Sequence, residues 1–240
     1  MDLDRSLTKE QQAISLLQAA VAFDAGVAFA CSFGAEDVVL IDLIAKHASE
    51  VRIITLDTGR LPQQSYDVMD ACRKKYDLTI HLYFPQAQAV EAMVREQGVN
   101  LFYHDIASRK ACCAVRKIEP LKRALAGSTA WITGVRREQA ESRSKMEAVE
   151  DDAAFQMKKF NPLIEWSDAD VWNYIRQHHV PYNALHDQFY PSIGCAPCTR
   201  AVSVGEDPRS GRWWWEQEDA VAECGLHMNP IKNAAGNYSI

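Results

Sequence analysis

The chain has 240 residues and a mass of 27.0 kDa, and 48% of its residues are hydrophobic, which is enough to bury one substantial core. Its net charge of -6 and pI near 5.7 argue against nucleic-acid binding, which leaves a basic footprint. The acidic start, MDLD, and the lack of an apolar run approaching the roughly 20 residues that span a bilayer predict a cytoplasmic protein that binds no membrane.

The predicted elements alternate between helices and strands along the first half of the chain. Thr8 and Gln11 form a predicted capping box for a helix over 8–23. Apolar and β-branched runs then predict strands over 27–31, 51–57, 78–84 and 131–135, and helices over 36–47, 62–75 and 87–97. This alternation predicts an α/β fold, with a mostly parallel sheet and helices on both faces.

The C-terminal part of the chain is rich in loops. Ser167 and Asp170 predict a capped helix that runs to about residue 177. Residues 205–211 have the composition of a linker, so we expect an α/β domain over 1–204 and a separate tail over 205–240. The run of three tryptophans at 213–215 requires an apolar cover.

Three unusual segments follow predicted strands, at residues 32–37, 57–60 and 134–139. Ligands of parallel α/β sheets bind at the carboxyl ends of strands, so we expect the three loops to meet at one pocket. Ser32 and Gly34 lie before a helix, where free N–H groups favour an anion. Gly59, after Asp57, lets the backbone approach a ligand closely. Ordinary strand-to-helix turns are the alternative interpretation of these loops.

Four of the seven cysteines occur in two pairs, Cys112 with Cys113 and Cys195 with Cys198. An odd number of cysteines without an export signal predicts reduced thiols rather than a disulfide framework. Adjacent residues on a helix point apart and are awkward ligands for one tetrahedral zinc ion, whereas a 4Fe-4S cluster spreads four thiolates over four irons. The spacing leaves a cluster, a zinc site and buried free thiols open. Cys31 and Cys72 are best explained as buried free cysteines.

A further cysteine, Cys224, lies in the segment ECGLH at 223–227. A thiolate is a strong nucleophile, and cations or a protonated histidine increase its population. An incidental surface cysteine is the alternative. Positive charge is clustered despite the acidic composition, which favours a compact anionic ligand; the clusters are Arg136, Arg137, Arg143 and Lys145, and Arg200, Arg209 and Arg212.

These motifs together resemble the assimilatory adenylyl-sulfate (APS) reductases, which are relatives of the PAPS reductases. The similar segments are SFGAED at 32–37, KACCAVRK at 110–117, GCAPCTR at 194–200 and ECGLH at 223–227, so the resemblance extends from residue 32 to 227. It implies an adenine-nucleotide α-hydrolase-like fold with a modified PP-loop. Phe33 replaces a glycine that is common in the ATP-cleaving branch, which makes pyrophosphate binding less expected.

The resemblance also implies roles for individual residues. It implies one 4Fe-4S cluster bound by Cys112, Cys113, Cys195 and Cys198, and Cys224 as the catalytic nucleophile. Lys117, four residues after Cys113 on a helix, is expected between cluster and substrate, with a solvated helix charge as the alternative. His227 is expected to orient the tail or the substrate, or to pack. The implied substrate contacts are Ser32, Gly34, Asp57, Gly59, Arg136, Arg137, Arg143, Arg209 and Arg212.

The implied activity is thioredoxin-dependent reduction of APS to sulfite and AMP through an S-sulfocysteine, in sulfate assimilation and cysteine biosynthesis. We also expect a homo-oligomer. Three alternatives remain at this point: a cluster-bearing reductase that also accepts PAPS, an ATP-dependent PP-loop sulfur transferase, and a non-enzymatic redox sensor.

Overall fold

The computed structural model describes residues 4–139 and 143–216, and the backbone of residues 231–232 and 238–239. Seven α-helices occur in this part of the chain: α1 Lys9–Phe23, α2 Ala35–His47, α3 Gln63–Tyr76, α4 Ala87–Gln97, α5 Ile106–Cys113, α6 Glu119–Ala124 and α7 Asp168–Gln177. The strands are β1 Ala28–Ala30, β2 Arg52–Leu56, β3 Ile80–Tyr83, β4 Ala130–Ile132, β5 Val149–Asp152, β6 Met157–Phe160, β7 Ile231–Lys232 and β8 Tyr238–Ser239.

A six-stranded sheet has the order β3-β2-β1-β4-β6-β5, and β7 pairs separately with β8. β1 pairs in parallel with both β2 and β4, and β4 pairs in parallel with β6. β5 runs antiparallel to β6 at the edge of the sheet. The predicted mostly parallel α/β architecture is therefore confirmed, whereas the β5–β6 hairpin was not predicted.

Both predicted capping boxes are present. The Thr8 side chain accepts a hydrogen bond from the Gln11 N–H at 3.2 Å, and the Gln11 side chain accepts one from the Thr8 N–H at 2.9 Å. Ser167 and Asp170 make the same reciprocal pair at the start of α7. Each box satisfies donors that a helix start otherwise leaves unpaired, which explains why the two helices begin where the sequence predicts.

The chain divides into two compact units that alternate along the sequence. Unit 1 comprises Met1–Thr55, Ser65–His81 and Gly127–Asn183, and unit 2 comprises Leu56–Gln64, Leu82–Ala126 and the chain from Ala184 onward. The predicted boundary between residues 204 and 205 lies within unit 2. None of the helices in the described ranges combines the length and apolar character that crossing a membrane requires.

Each unit has its own apolar core. Fully buried Phe29, Ile41 and Ile132 belong to the core of unit 1, in which α2 is buried along most of its length. The core of unit 2 is smaller and unusual, because Phe102 and Trp213 pack there against cysteines. Unit 2 is therefore the part of the fold that positions the paired thiols.

Candidate functional site

Unit 2 contains a cavity that all four paired cysteines line. Cys112 and Cys113 end helix α5, while Cys195 precedes a short 3-10 turn, Ala196–Cys198, and Cys198 ends it. Cys113 is half-buried and the other three are buried. The remaining lining residues of the cavity are Phe102, Arg109, Arg116, Lys117 and Trp213. Two chain segments distant in sequence thus bring their thiols to one place.

The helix that carries the first cysteine pair changes its winding directly after Cys113. Residues Ala114–Ile118 form a π-helical segment, and α6 follows without a break. A π turn is wider than an α turn, and such segments are frequent at functional sites. Lys117, predicted on α-helical spacing to share a face with Cys113, lines the same cavity as Cys113, although the intervening turn is π-helical.

The second cysteine pair is held by a compact set of local hydrogen bonds. The Cys198 N–H donates to the Cys195 carbonyl at 2.9 Å, and the Thr199 hydroxyl donates to the same carbonyl at 3.0 Å. The Thr199 hydroxyl also accepts the Gly194 N–H at 3.1 Å. These bonds fix the turn, so the two sulfurs have defined positions.

The loop at residues 57–60 is bonded directly to this turn. The Thr58 hydroxyl lies 3.2 Å from the Cys195 sulfur, and the Ala196 N–H donates to the Arg60 carbonyl at 2.8 Å. The Asp57 carboxylate accepts the Gly59 N–H at 2.8 Å, and Gly59 has a φ of +69°, a conformation that favours glycine. Asp57 and Gly59, both predicted to contact substrate, therefore shape a loop beside the cysteines.

Buried Arg116 connects the same loop to the first cysteine pair. Its guanidinium donates to the Thr58 carbonyl at 2.6 Å and also hydrogen-bonds to the Cys112 thiol. Burial raises the pKa of Cys112, and the positive charges of Arg116 and Arg60 oppose that shift. Arginine is the residue suited to such a place, since it stays charged when it is desolvated.

Burial favours the protonated form of two thiols of the cavity, those of Cys112 and Cys198. Burial raises the pKa of Cys198 to about 12, and neighbouring Cys195 adds to the shift. The charges of Lys117 and Arg212 lower the same pKa. Four thiols with cations close by form a donor set that binds a thiophilic group in exchange for protons.

The type of group that fits follows from the spacing of the donors. In the described part of the chain, no three His, Cys, Asp or Glu side chains converge closely enough to hold a single metal ion. A tetrahedral zinc site requires such convergence, with each sulfur roughly 2.3 Å from the ion. Four thiols that line one cavity fit a cluster, in which each thiolate binds a different iron.

One residue of the tryptophan run, Trp213, lines the cavity. Trp213 is buried and packs with Phe102 and the cysteines, and the Trp215 ring lies 4.4 Å from the Tyr103 ring in an edge-on arrangement. The apolar cover predicted for this run is thus present for Trp213 and Trp215, while Trp214 remains 42% exposed. The guanidinium of Arg109 stacks 4.4 Å from the centre of the Trp213 ring.

The two late arginines lie in the segment that leads into Trp213. Arg212 forms a β-bridge with Thr199 and donates to the Ser192 hydroxyl and the Ile193 carbonyl, each at 3.3 Å. A Cβ on Gly194 would lie 2.3 Å from an Arg212 nitrogen, so the Arg212 guanidinium approaches the cysteine turn closely and would have to move if residue 194 carried a side chain. The Arg209 carbonyl accepts the Arg212 N–H at 2.8 Å and helps to form the turn.

Unit 1 holds a second group of predicted site residues, around the loop at 32–37. The Ser32 hydroxyl donates to Asp37 at 2.7 Å, and the Ser32 N–H donates to the same carboxylate. Helix α2 follows, with Gly34 as an N-cap that makes no side-chain cap bond. Phe33 is buried and has a φ of +61°, although this left-handed region favours glycine.

Asp37 joins this loop to the one at 134–139. Burial raises the pKa of Asp37 to about 6, and the Ser32 hydrogen bonds oppose that shift. A Cβ on Gly134 would lie 2.3 Å from an Asp37 oxygen, so the two loops are in direct contact. Two of the three loops expected to meet are therefore together in unit 1, and the third, residues 57–60, belongs to unit 2.

The three arginines predicted to contact substrate in unit 1 already have protein partners. Arg136 is buried and donates to Glu36 at 2.8 Å, while Arg137 donates to the Met146 carbonyl at 2.9 Å. Arg143 is buried and donates to the Gln139 side chain. A ligand anion here would share these guanidinium groups with the carboxylate and carbonyl oxygens.

The remaining cysteines divide into two groups. Cys31 and Cys72 are buried free thiols, as predicted, and burial raises the pKa of both, that of Cys72 to about 12. Such thiols are poor nucleophiles. Cys224 and His227 lie outside the described residues.

Several residues of the cavity were not predicted. Thr58 and Arg116 lie within or beside recognised motifs, yet their contacts link segments far apart in sequence. Arg109 and Glu216 form a buried ion pair with two hydrogen bonds, at 2.7 and 2.9 Å. The only signal in the sequence was the short distance from Arg109 to Cys112, three residues and one helical turn.

Comparison with known families gives this geometry a context. The profile of the phosphoadenosine phosphosulfate reductase domain matches residues 26–201, and the chain belongs to this family. Within it, the chain is similar to proteins named adenosine 5'-phosphosulfate reductase. The one from Allochromatium vinosum is 49% identical over 95% of this chain and 88% of its own length, and the one from Burkholderia cepacia is 46% identical over 88% and 84%.

Solved structures agree on the fold. The phosphoadenylyl-sulfate (PAPS) reductase of Candida auris, crystallised as a phosphate complex, superposes with a TM-score of 0.68 at 27% identity, covering 84% of this chain and 99% of that one. An FMN adenylyltransferase of Candida glabrata gives a TM-score of 0.56 at 14% identity, covering 87% and 72%. The second likeness concerns the fold alone, which is the one that the PP-loop resemblance predicts.

Proposed function

We propose that this protein reduces adenosine 5'-phosphosulfate to sulfite and AMP, with electrons from a thioredoxin dithiol, in cytoplasmic sulfate assimilation for cysteine biosynthesis. At a general level, the family and the relatives support an enzyme of sulfate reduction, an oxidoreductase that acts on sulfur. The observation that carries the proposal is the cavity lined by four thiols. Lys117 also lines this cavity, and the positive charge of Arg212 acts on Cys198.

Cys112, Cys113, Cys195 and Cys198 would hold one 4Fe-4S cluster. When bound, the cluster supplies structural and electrostatic support, because the thiols of the reaction already provide both electrons. Arg116 and Thr58 would contact the ligand thiolates through the groups that now contact the thiols of Cys112 and Cys195.

In the first step, the Cys224 thiolate attacks the sulfur of APS. The sulfur–oxygen bond to the phosphate breaks, a sulfur–sulfur bond forms, and AMP leaves with the bonding electrons. Attacker and substrate are both anions, and two unit charges 4 Å apart repel by about 4 kcal/mol at an effective dielectric near 20. Lys117, Arg209 and Arg212 would offset that repulsion and stabilise the charge that moves onto the leaving phosphate.

In the second step, a dithiol reduces the S-sulfocysteine. One thiolate attacks the Cys224 sulfur and releases sulfite, and the second thiolate then resolves the mixed disulfide and restores Cys224. The dithiol loses two electrons, and the sulfonyl sulfur gains them as sulfite. His227, three residues after Cys224, would orient the tail or the substrate.

The choice of APS over PAPS is supported by the relatives' names. Proteins named adenosine 5'-phosphosulfate reductase are 46% to 49% identical to this chain, whereas the PAPS reductase structure is 27% identical. In unit 1, residues Ser32 and Gly34 would bind the nucleotide together with the arginines at 136, 137 and 143, and in unit 2, Asp57 and Gly59 would line it.

The decisive experiment uses anaerobically purified protein, incubated without reductant with APS, PAPS or ATP and then analysed by peptide mass spectrometry. We expect a sulfonate on Cys224 from APS, none in Cys224→Ser, and an unchanged adduct in the matched variant Cys31→Ser. An adduct from both sulfonucleotides would keep the mechanism and broaden its specificity. Pyrophosphate release from ATP without any adduct would overturn the proposal in favour of an ATP-dependent sulfur transferase.

A further inference from the structure

Two arginine side chains of unit 2 share one aromatic ring. The guanidinium carbons of Arg109 and Arg212 lie 4.4 Å and 4.8 Å from the centre of the Trp213 ring. Both residues are near the cysteine cavity, since Arg109 lines it and Arg212 forms a β-bridge with Thr199, the residue after Cys198. Two positive charges are thus concentrated around one indole.

The two guanidinium groups differ in their hydrogen-bond and ion-pair partners. Arg109 makes a two-point ion pair with Glu216, and the side chains are only 2% and 6% exposed. Arg212 has two long hydrogen bonds to neutral oxygens, and its buried Nε has no partner among the described residues. No carboxylate in the described ranges forms an ion pair with Arg212.

Glu216 pairs with Arg109 and follows closely in sequence after Trp213, the residue whose ring both arginines contact. It lies three residues after Trp213, in a turn closed by a 2.8 Å hydrogen bond from the Glu216 N–H to the Trp213 carbonyl. A buried carboxylate requires a cationic partner, because an unpaired buried charge is costly. If Arg109 were absent, the nearest alternative cation on the same ring would be Arg212.

We propose that Arg109 is a positioning residue that holds the Glu216 carboxylate away from Arg212, so that the Arg212 guanidinium stays open to a sulfate group. The inference rests on the proposed function, because it assigns the anion to the sulfonucleotide substrate. It separates two tasks: Arg109 neutralises a carboxylate of the protein, and Arg212 keeps its charge for the ligand.

The test measures equilibrium binding of APS and AMP to cluster-loaded protein in a Cys224→Ser background, in which APS does not react. Arg109→Gln releases Glu216 to compete for Arg212, so we expect APS affinity to fall by about tenfold or more. AMP, which lacks the sulfate, should change by less than about twofold. In Arg109→Gln/Glu216→Gln the competitor is gone, and APS affinity should return to within about threefold of the parent.

Two further variants keep the test decisive if Arg109→Gln does not fold with full iron content. Glu216→Gln should retain APS affinity within about twofold, because this substitution removes the carboxylate that could compete for Arg212. Glu206→Gln is the matched control, since Glu206 pairs with Arg200 at 3.0 Å in the same segment but is 37% exposed.

The outcomes separate this inference from the proposed function. Equal APS losses in Arg109→Gln and the double variant, equal losses for AMP and APS, or a large APS loss in Glu216→Gln would overturn the positioning role. If the parent protein binds AMP but not APS, the proposed function fails and this inference fails with it.

Discussion

The hydroxyl of Thr58 lies 3.2 Å from the sulfur of Cys195, and both residues are buried. The same hydroxyl accepts the Arg60 N–H at 3.2 Å. One side chain therefore supports both the loop at 57–60 and the second cysteine pair, so a change at this position should affect both.

Thr58→Val replaces the hydroxyl by a methyl group of similar size. We expect the free energy of unfolding to fall by about 1 to 3 kcal/mol, because the partly buried Arg60 N–H loses its acceptor. Iron should also be released faster to a chelator. Thr58→Ser keeps the hydroxyl and should lose less than about 1 kcal/mol. Equal effects of the two substitutions, in denaturant unfolding and in iron release, would contradict this role of the hydroxyl.

Lys117→Ala removes a cation from the cavity wall. The rate at which APS sulfonates Cys224 in a single turnover should fall by at least about tenfold, because less positive charge offsets the approach of two anions. Lys110→Ala, at an exposed position of α5, is the matched control and should leave the rate nearly unchanged. The effect of Lys117→Ala should weaken in high salt only slightly if the charge acts inside the cavity, whereas strong screening would indicate a surface effect.

Gly134→Ala would place a methyl group 2.3 Å from an Asp37 oxygen. Because that carboxylate is held by Ser32, it has little freedom to move, and we expect a loss of about 1 to 3 kcal/mol in the free energy of unfolding. At Gly34 the nearest atoms are 3.7 Å away, so Gly34→Ala should cost less than about 1 kcal/mol. Chemical denaturation of both variants compares the two sites, and similar losses would show that the contact is not tight.

Asp37 gives the stability of the chain a specific pH dependence. Burial raises its pKa from 3.8 to about 6, so between these values the folded chain binds a proton that the unfolded chain releases. This group therefore favours folding as the pH falls from 6 towards 4, and it opposes folding above pH 6. The penalty at neutral pH is at most about 3 kcal/mol, at 1.36 kcal/mol per pKa unit.

The substitution Asp37→Asn removes this titration. Relative to wild type, the variant should be more stable at pH 7.5 than at pH 4.5, which means that the difference in the free energy of unfolding (variant minus wild type) is larger at the higher pH in denaturant titrations at both values. A difference between the variants that does not change with pH would contradict the raised pKa.

Local sequence signals predicted most of the sheet and its helices, because they act within a few residues. The capping boxes at Thr8 and Ser167 and the β-branched run of β2 are of this kind. β5 and β6 carry mostly charged and polar side chains, VEDD and MKKF, which have low strand propensity. These strands pair because β4 offers a sheet edge for β6 and β6 then offers one for β5. A local sequence pattern does not show which strand edges become available in the folded chain.

The candidate site also has a part that local sequence signals predicted and a part that they did not. The cysteine pairs were predicted because thiol spacing is a chemical signal in itself. The contact between Thr58 and Cys195 joins residues 137 positions apart, and the partner of Arg109 is 107 positions away. Such contacts are produced by tertiary folding. The π-helical turn after Cys113 likewise depends on how that helix packs, and the periodicity of the sequence did not predict it.

The alternation of the two units along the chain has a consequence for biosynthesis. Cys113 and Cys195 are 82 positions apart, and the whole of Gly127–Asn183, which belongs to unit 1, lies between them. During translation the first thiol pair is therefore exposed long before the second exists, and a group that requires all four thiols has to be delivered late. Once bound, that group would close a loop of 82 residues, a constraint on the unfolded chain of about 4 to 5 kcal/mol by the loop-entropy estimate. Supply of the group would thus limit how much of the newly made chain survives. With the proposed 4Fe-4S cluster as that group, iron starvation would lower the amount of this protein as well as its activity.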